Sequence, residues 1–225
     1  MIWLLLDILQ QLITFDERVF LAVNGWHSAY WDTFMCFFSD KLVWIPLYLA
    51  LAFVVYRNYS LRNVLICFVV VGVIILFTDA FTSQVLKPLV GRLRPSNLEN
   101  PISHLVHIVD GHRGGRYGFP SSHSANCWGV AFFVAYLFRH RVITLFMFVW
   151  AFIVCWSRLY LGVHYVGDVF FGMLFGLVGA SVLYYVFRKI TNHTPQQPLR
   201  YAELPVAVGL LTIACIVVLS FFIRF

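Results

Sequence analysis

The sequence predicts an all-α integral membrane protein: a bundle of six transmembrane helices preceded by an N-terminal amphipathic helix at the membrane interface. Of the 225 residues, 61% are hydrophobic and only 12% are charged, about half the charged fraction of roughly 25% found in soluble proteins. Six apolar runs give the predicted spans, at residues 42–56, 64–86, 124–138, 142–157, 169–187 and 204–223. Several are near the short limit for crossing a bilayer, which flanking Trp, Tyr and Arg side chains can offset.

Residues 1–41 are predicted to form an interfacial segment ahead of a single six-helix domain at 42–225. The stretch MIWLLLDILQQLITF at 1–15 places apolar side chains at helical spacing but includes Asp7 and a glutamine pair. It is too short to span ~30 Å comfortably, so a helix lying on the membrane surface is expected. The stretch NGWHSAYWD at 24–32 carries Trp26 and Trp31 and is interpreted as an interfacial loop in an aromatic belt.

Proline and glycine positions add expectations about the spans themselves. Pro46 is predicted to kink the first span. Gly172, Gly176 and Gly179 in the fifth give the small-residue spacing that lets helices approach closely. The five cysteines stand singly in apolar surroundings without CxxC spacing, which predicts packing roles rather than a disulfide or a metal site.

The short loops between spans predict the orientation in the membrane. One side carries seven basic residues in or next to short loops, namely Arg57, Arg62, Arg139, Arg141, Arg188, Lys189 and Arg200. The positive-inside rule makes that side cytoplasmic, so the opposite side faces the periplasm or exterior. We therefore expect a multi-pass protein of the cytoplasmic (inner) membrane. The net charge of +6 suits lipid headgroups, and no nucleic-acid partner is expected.

Three polar clusters lie at the ends of spans that share the exterior face. They are KPLVGRLRP at 87–95, FPSSHS at 119–124 and SRLYLGVHYVGD at 157–168. Charges placed near hydrocarbon are costly unless they face a common polar pocket. Lys87, Arg94 and Arg158 could supply three positive charges to one phosphate. Ser121, Ser122 and the backbone N–H groups at the start of the third span add hydrogen-bond donors.

Two histidines in these clusters suggest phosphoryl-transfer chemistry. If the chain is helical from His164 onwards, Asp168 lies one turn away on the same face, where its carboxylate can orient and stabilise the imidazole. His164 is then the candidate nucleophile. His123 is the candidate acid that protonates the leaving oxygen.

The three clusters resemble, in the same order, the signature motifs KxxxxxxRP, PSGH and SRxxxxxHxxxD of the type 2 phosphatidic acid phosphatase family. The first and third match at every specified position, and the second has Ser122 where the family has glycine. The resemblance implies a metal-independent lipid phosphatase that uses a phosphohistidine intermediate and no cofactor. It makes His123 the acid and His164 the nucleophile, assisted by Asp168. It gives phosphate-binding roles to Lys87, Arg94, Ser121 and Arg158.

Other polar features carry weaker predictions. Asp79 either pairs with a cation of the site or stabilises a contact within the bundle. Arg92 either reaches a second phosphate or is a charge at headgroup level. The loop at 96–117 contains three histidines, but their spacing matches no strong zinc pattern, and we expect the loop to cover the pocket.

The leading hypothesis is an enzyme that hydrolyses a lipid phosphate at the outer face of the cytoplasmic membrane. The short span layout resembles small bacterial family members that act on lipid A phosphates or undecaprenyl diphosphate. The segment GHRGGRYGF before the second cluster favours a lipid A 4′-phosphatase. Phosphatidylglycerophosphate and phosphatidic acid stay open as substrates, and no obligatory protein partner is evident. A transporter is the alternative of another class, but the charges gather at helix ends rather than at mid-membrane.

Overall fold

The computed structural model describes residues 2–195 and 197–223, and within these ranges the chain is helical, with no β-strand. The described part contains nine α-helices together with a π-helical turn at Phe81–Leu86 and a 3₁₀ turn at Ser103–Leu105. The α-helices are α1 (Ile2–Asn24), α2 (Ala29–Ser39), α3 (Ile45–Asn58), α4 (Leu61–Ala80), α5 (Lys87–Val90), α6 (Ser122–Phe138), α7 (Arg141–Tyr160), α8 (Val166–Thr191) and α9 (Glu203–Phe222).

The predicted all-helical membrane bundle is confirmed, and four of its six predicted spans are long enough to cross a bilayer. Four helical segments are long and apolar enough to cross a membrane, at Leu61–Val90, Arg141–Tyr160, Val166–Thr191 and Glu203–Phe222. The other two predicted spans are α3, with 14 residues, and α6, with 17. At 1.5 Å per residue they reach about 21 and 26 Å, less than the ~30 Å hydrocarbon core.

Glycines of α8 allow it to approach α6, which packs against α4, α7 and α8 near the centre of the bundle. A Cβ atom at Gly172 would lie 2.5 Å from the carbonyl oxygen of Ser121, and one at Gly176 would lie 2.6 Å from that of Ala125. The predicted close helix contact is therefore confirmed at these two positions. Gly179 differs, because a Cβ there would meet only Thr78 of α4, at 3.9 Å.

Two local features lie at the start of α3 and at the end of α4. Pro46 lies in the first turn of α3, where a missing backbone N–H costs no intrahelical hydrogen bond. The predicted kink at Pro46 was therefore wrong, because this proline begins a helix. The π-helical turn Phe81–Leu86 connects α4 to α5. π-Helical turns are often found at functional sites, and this one directly precedes Lys87.

The N-terminal part forms two helices rather than one helix and a loop. Helix α1 is 23 residues long and leaves Trp3 and Phe15 exposed, as an amphipathic interfacial helix would. The predicted loop at 24–32 was wrong from Ala29 onwards, because Ser28 caps the N-terminus of α2. Helix α2 packs against α7 and α9 and buries Phe38, so part of the 1–41 segment belongs to the bundle.

The basic loops predicted to be cytoplasmic meet at one end of the bundle. The Asn58 side chain donates a hydrogen bond to the carbonyl of Arg200 at 2.9 Å, and Arg62 approaches the carbonyl of Ile190 at 3.5 Å. The Gln197 side chain donates to the carbonyl of Phe138 at 3.1 Å. These contacts join three inter-helix connections, and the three polar clusters lie at the opposite helix ends.

Candidate active site

His164 and Asp168 lie together at the junction of α7 and α8. The assumption of a helix running from His164 was wrong, because α8 begins only at Val166 with Tyr165 as its N-cap. Asp168 is the third residue of α8, and its Oδ2 accepts the backbone N–H of Tyr165 at 3.0 Å. The same Oδ2 lies 3.5 Å from Nδ1 of His164. The predicted pairing is therefore a 3.5 Å approach across the start of a helix rather than along one helical turn, and Nδ1 of His164 makes no hydrogen bond within the described part of the chain.

His164 is almost completely enclosed, with 1% of its surface exposed. Burial lowers the pKa of His164 well below its usual value, and the positive charges of Arg94 and Arg158 lower it further. Its imidazole is therefore neutral near pH 7. Because Nδ1 faces Asp168, Nε2 is the ring nitrogen available for attack on phosphorus.

Lys87 and Ser122 form one side of the site, where the π-helical turn meets the N-terminus of α6. The Lys87 ammonium donates to Oγ of Ser122 at 2.9 Å and to Oγ of Ser83 at 3.3 Å. The Ser122 hydroxyl also contacts the hydroxyls of Thr82 at 2.7 Å and Ser83 at 3.1 Å. Ser122 thus joins the first cluster to the second and fixes the position of Lys87.

Arg94 and Arg158 approach the site from a loop and from the end of α7. Nε of Arg94 donates to the carbonyl of Tyr117 at 3.1 Å, and its Nη1 lies 3.5 Å from the carbonyl of Val163. Arg158 is buried, with 8% exposed, and its Nη1 donates to the hydroxyl of Ser39 at the end of α2. Nε of Arg158 has no hydrogen-bond partner in the described part of the chain.

The start of α6 provides backbone donors and the second histidine. Ser121 is the N-cap of α6, and its backbone N–H donates to the carbonyl of Asp168 at 2.9 Å, which holds the second and third clusters together. His123 follows in the first turn and is exposed. It lies close enough to Arg158 for the positive charge of that residue to act on it.

A cavity of about 510 Å³ opens beside His123 and extends along the bundle. Its polar lining includes Lys41, Asp79, His123 and Asn126, and the rest is mostly apolar, reaching Phe138 at the far end of α6. The predicted ion pair between Asp79 and a cation of the site is not observed, since Asp79 forms none within the described ranges. It lines the cavity instead.

Three contacts of the site had no clear signal in the sequence. Arg92, predicted to reach phosphate or headgroups, instead donates to Oδ1 of Asp168 at 3.0 Å. Asp16 of α1 forms an ion pair with Arg92 at 2.8 Å. Ser39 of α2 contacts Arg158. The short spacing of Arg92 from Arg94 within one motif was the only indication that it lies near the site, and nothing marked Asp16 or Ser39.

The loop at 96–117 is attached to the N-terminal helices. Nε2 of His107 lies 2.9 Å from Oδ1 of Asp32, and the ring of His107 stacks on that of His27 at 3.7 Å. The Asn24 side chain donates to the carbonyl of His107 at 3.0 Å. Within residues 2–195 and 197–223, no group of three His, Cys, Asp or Glu side chains is arranged to hold a metal ion.

Comparison with known proteins gives the same family as the motifs. The family model of the PAP2 superfamily matches residues 64–192. A protein named lipid A 4′-phosphatase from Bacteroides thetaiotaomicron is 41% identical over 213 residues, covering 91% of this chain and 95% of its own. A second lipid A 4′-phosphatase, from Porphyromonas gingivalis, is 30% identical over 179 residues and covers 80% of this chain and 75% of its own.

Two solved structures share the fold. A PAP2-type phosphatidylglycerolphosphate phosphatase from Bacillus subtilis superposes with a TM-score of 0.62 at 23% identity, covering 82% of this chain and 90% of its own. Aquifex aeolicus LpxE gives a TM-score of 0.56 at 21% identity, covering 75% of this chain and 93% of its own. The relatives are named phosphatases, which confirms the predicted enzyme class over a transporter. The chain belongs to the PAP2 superfamily.

Proposed function

We propose that this integral membrane phosphatase removes the 4′-phosphate of lipid A at the outer face of the cytoplasmic membrane. The observation that supports this substrate is the 41% identity to the Bacteroides thetaiotaomicron lipid A 4′-phosphatase, which covers nearly the full length of both chains. The location of the site supports the exterior face, because the three clusters lie opposite the basic loops.

Three cations and the start of a helix provide the phosphate site. Lys87, Arg94 and Arg158 surround His164 closely enough to act electrostatically on it, and together they offset the charge of a phosphate dianion. The unpartnered Nε of Arg158 supplies a buried donor that a phosphate oxygen can satisfy. Ser121 and the backbone N–H groups at the start of α6 add further donors. The Ser122 hydroxyl is already used by Lys87, so its role is to position that lysine.

The first chemical step is attack by Nε2 of His164 on phosphorus. A P–N bond forms, the P–O bond to the lipid breaks, and protonated His123 gives its proton to the leaving oxygen. The phosphorylated imidazole keeps its proton on Nδ1 and becomes cationic. Asp168, 3.5 Å from that nitrogen, stabilises the new charge.

The second step releases phosphate. Neutral His123 takes a proton from a water molecule while the water oxygen attacks phosphorus and the P–N bond breaks. Inorganic phosphate leaves, His164 returns to its neutral form, and His123 is again protonated. All proton and group transfers are made by the two histidines and water, and the proposed cycle needs neither a metal nor a cofactor.

The cavity beside His123 supports a lipid substrate. Its lining is mainly apolar and runs from His123 along the bundle toward Phe138, which suits an acyl chain lying parallel to the helices. When the phosphate of such a lipid reaches His164, its acyl chains lie at the depth of the bilayer core. This geometry favours a membrane-embedded substrate over a soluble phosphate ester.

Phosphate release from defined lipids tests the proposal. The purified protein in detergent, with EDTA present, is expected to release phosphate from bisphosphorylated lipid A and to leave the 1-phosphate in place, as mass spectrometry of the product shows. Phosphatidylglycerophosphate and undecaprenyl diphosphate serve as comparison substrates. Removal of the 1-phosphate, or a higher kcat/KM on either comparison lipid, would reject the 4′ assignment. Inhibition by EDTA would reject the metal-independent mechanism.

A further inference from the structure

The carboxylate of Asp168 is shared between the nucleophile and an arginine. Oδ2 faces Nδ1 of His164 and accepts the N–H of Tyr165. Oδ1 accepts Nη1 of Arg92 at 3.0 Å. Asp168 is completely buried, and a buried carboxylate is costly unless it is paired and hydrogen-bonded. Among the described residues, Arg92 is the only lysine or arginine within ion-pair distance of Asp168.

Arg92 is itself held in place on two further sides. Its Nη2 pairs with Oδ2 of Asp16 at 2.8 Å, and its guanidinium lies 3.9 Å from the centre of the Tyr165 ring. Oδ1 of Asp16 accepts the backbone N–H of Gly167 in the first turn of α8 at 3.0 Å. Asp16 therefore contacts both the arginine and the helix start that carries Asp168.

The close packing around these groups confines the Asp16 side chain. A Cβ atom at Gly167 would lie 2.8 Å from Oδ2 of Asp16 and 3.4 Å from Nη1 of Arg92. Phe20, one turn further along α1, is fully buried and meets the Tyr165 ring edge-on at 5.3 Å. Helix α1 is thus docked on the start of α8 by an apolar contact beside the ionic one.

We propose that Arg92 and Asp16 are positioning residues of the phosphatase reaction, acting on His164 through the Asp168 carboxylate. Arg92 keeps Asp168 ionised and aimed at Nδ1 of His164, and Asp16 keeps Arg92 on Asp168. Helix α1 accordingly supports the catalytic centre through Asp16, in addition to its predicted place at the membrane surface. This inference rests on the proposed function, because it takes His164 as the nucleophile.

The competing role for Arg92 is direct binding of phosphate. Its two terminal nitrogens are each engaged by a carboxylate, Nη1 by Asp168 and Nη2 by Asp16. A phosphate ligand would have to share these donors. The two roles differ in what they change, because a positioning residue affects the transition state, whereas a ligand also affects bound product.

The test compares Arg92→Gln and Arg92→Lys with a matched control. Arg116→Gln removes an arginine from a similar ion pair, Arg116–Glu99 at 2.7 Å, which is more than half exposed. With p-nitrophenyl phosphate as substrate, Arg92→Gln is expected to lower kcat up to about 100-fold and to weaken inhibition by vanadate, a transition-state mimic. KM and inhibition by inorganic phosphate should change less than twofold. Arg92→Lys should recover part of kcat, and Arg116→Gln should match the wild type.

Inhibition constants separate positioning from misfolding, since they do not depend on the fraction of active protein. Asp16→Asn is expected to lower kcat and weaken vanadate inhibition less than Arg92→Gln does. In a protein that already carries Arg92→Gln, Asp16→Asn should lower kcat little further, because Asp16 acts through Arg92. Asp7→Asn, on the exposed part of α1, is the control and should leave kcat and the inhibition constants unchanged.

Several results would overturn the inference. Wild-type kinetics in Arg92→Gln would remove the positioning role, and weaker phosphate inhibition with unchanged kcat would make Arg92 a phosphate ligand. If the effects of Asp16→Asn and Arg92→Gln on kcat were fully additive, Asp16 would not act through Arg92, and its positioning role would be rejected. The lipid assignment is tested separately, because these measurements use a soluble ester. Retained activity in His164→Ala would overturn the nucleophile assignment and this inference with it.

Discussion

The two histidines of the site stand in opposite surroundings. His164 is 1% exposed, with the Asp168 carboxylate behind it and a chain of contacts reaching to α1. His123 is exposed in the first turn of α6 and lines an open, largely apolar cavity. One histidine is enclosed by charged residues from several elements, and the other faces space that a ligand can enter.

This difference follows from what each histidine would contact. The nucleophile meets a phosphorus atom whose surroundings are the same in every substrate, so a fixed orientation gives the greatest gain. The acid meets the leaving oxygen, which belongs to the lipid and varies with it. An enclosed His164 and an accessible His123 are therefore the arrangement that the proposed reaction requires.

The largest expected effect comes from removing the enclosed histidine. His164→Ala is expected to lower kcat by about 10⁴-fold or more, because no phosphohistidine can form and only binding and electrostatic stabilisation remain. Phosphate release from lipid A measures the loss, and acid-quenched protein from labelled substrate should carry no phosphate. His104→Ala, in the exposed part of the loop at 96–117, is the control and should retain activity.

Removing the accessible histidine should give a smaller loss that depends on the leaving group. His123→Ala is expected to lower kcat on lipid A about 10²–10⁴-fold, the usual contribution of a general acid. On p-nitrophenyl phosphate the first step needs no proton, so labelled phosphoenzyme should accumulate while turnover stays slow. Equal losses of phosphoenzyme formation on both substrates would contradict the acid assignment.

The sequence predicted the members of the site better than the contacts between them. Lys87, His123 and His164 were predicted to share one membrane face, because the alternation of helices depends only on the order of the spans and the polarity of their ends. The pairing of Arg92 with Asp168 joins positions 76 residues apart, and neither local pattern nor motif spacing specifies which oxygen an arginine will meet.

The N-terminal segment was predicted less well for a related reason. Amphipathic spacing identified α1 as an interfacial helix, but not its contact with the start of α8. The aromatic residues of α2 are typical of an interface as well as of a buried helix. Only the packing of Phe38 against the bundle and the contact of Ser39 with Arg158 distinguish the two. Tertiary contacts of this kind override local sequence pattern.

The pH dependence of the reaction should reflect the enclosure of His164. Its pKa is lowered by burial first and then by Arg94 and Arg158, so the imidazole stays neutral and reactive as pH falls below its usual value of 6.5. We expect the acidic limb that reports the nucleophile in kcat/KM to lie below pH 6.5. Arg94→Gln removes a nearby positive charge, which raises the pKa of His164 and moves that limb to higher pH. An unmoved limb would contradict the electrostatic coupling.

The smallest expected effect tests the helix contact beneath the His123 side of the site. A Cβ at Gly172 would lie 2.5 Å from the carbonyl of Ser121 and 2.8 Å from Cβ of Ser124. Gly172→Ala must therefore push the start of α6 away from α8, at a cost of about 1–3 kcal/mol in unfolding free energy. Gly179→Ala, whose Cβ meets only Thr78 at 3.9 Å, should be neutral or stabilising by up to about 1 kcal/mol.

Unfolding midpoints in detergent compare the two variants, and kinetics locate the damage. Because Ser121 precedes His123 by two residues, Gly172→Ala should displace the acid more than the nucleophile. Its activity on lipid A should then fall further than its rate of phosphoenzyme formation from p-nitrophenyl phosphate. Equal loss in both assays would mean that the start of α6 and the α7–α8 junction move as one unit. The backbone hydrogen bond from Ser121 to Asp168 would then couple the two histidines that their surroundings separate.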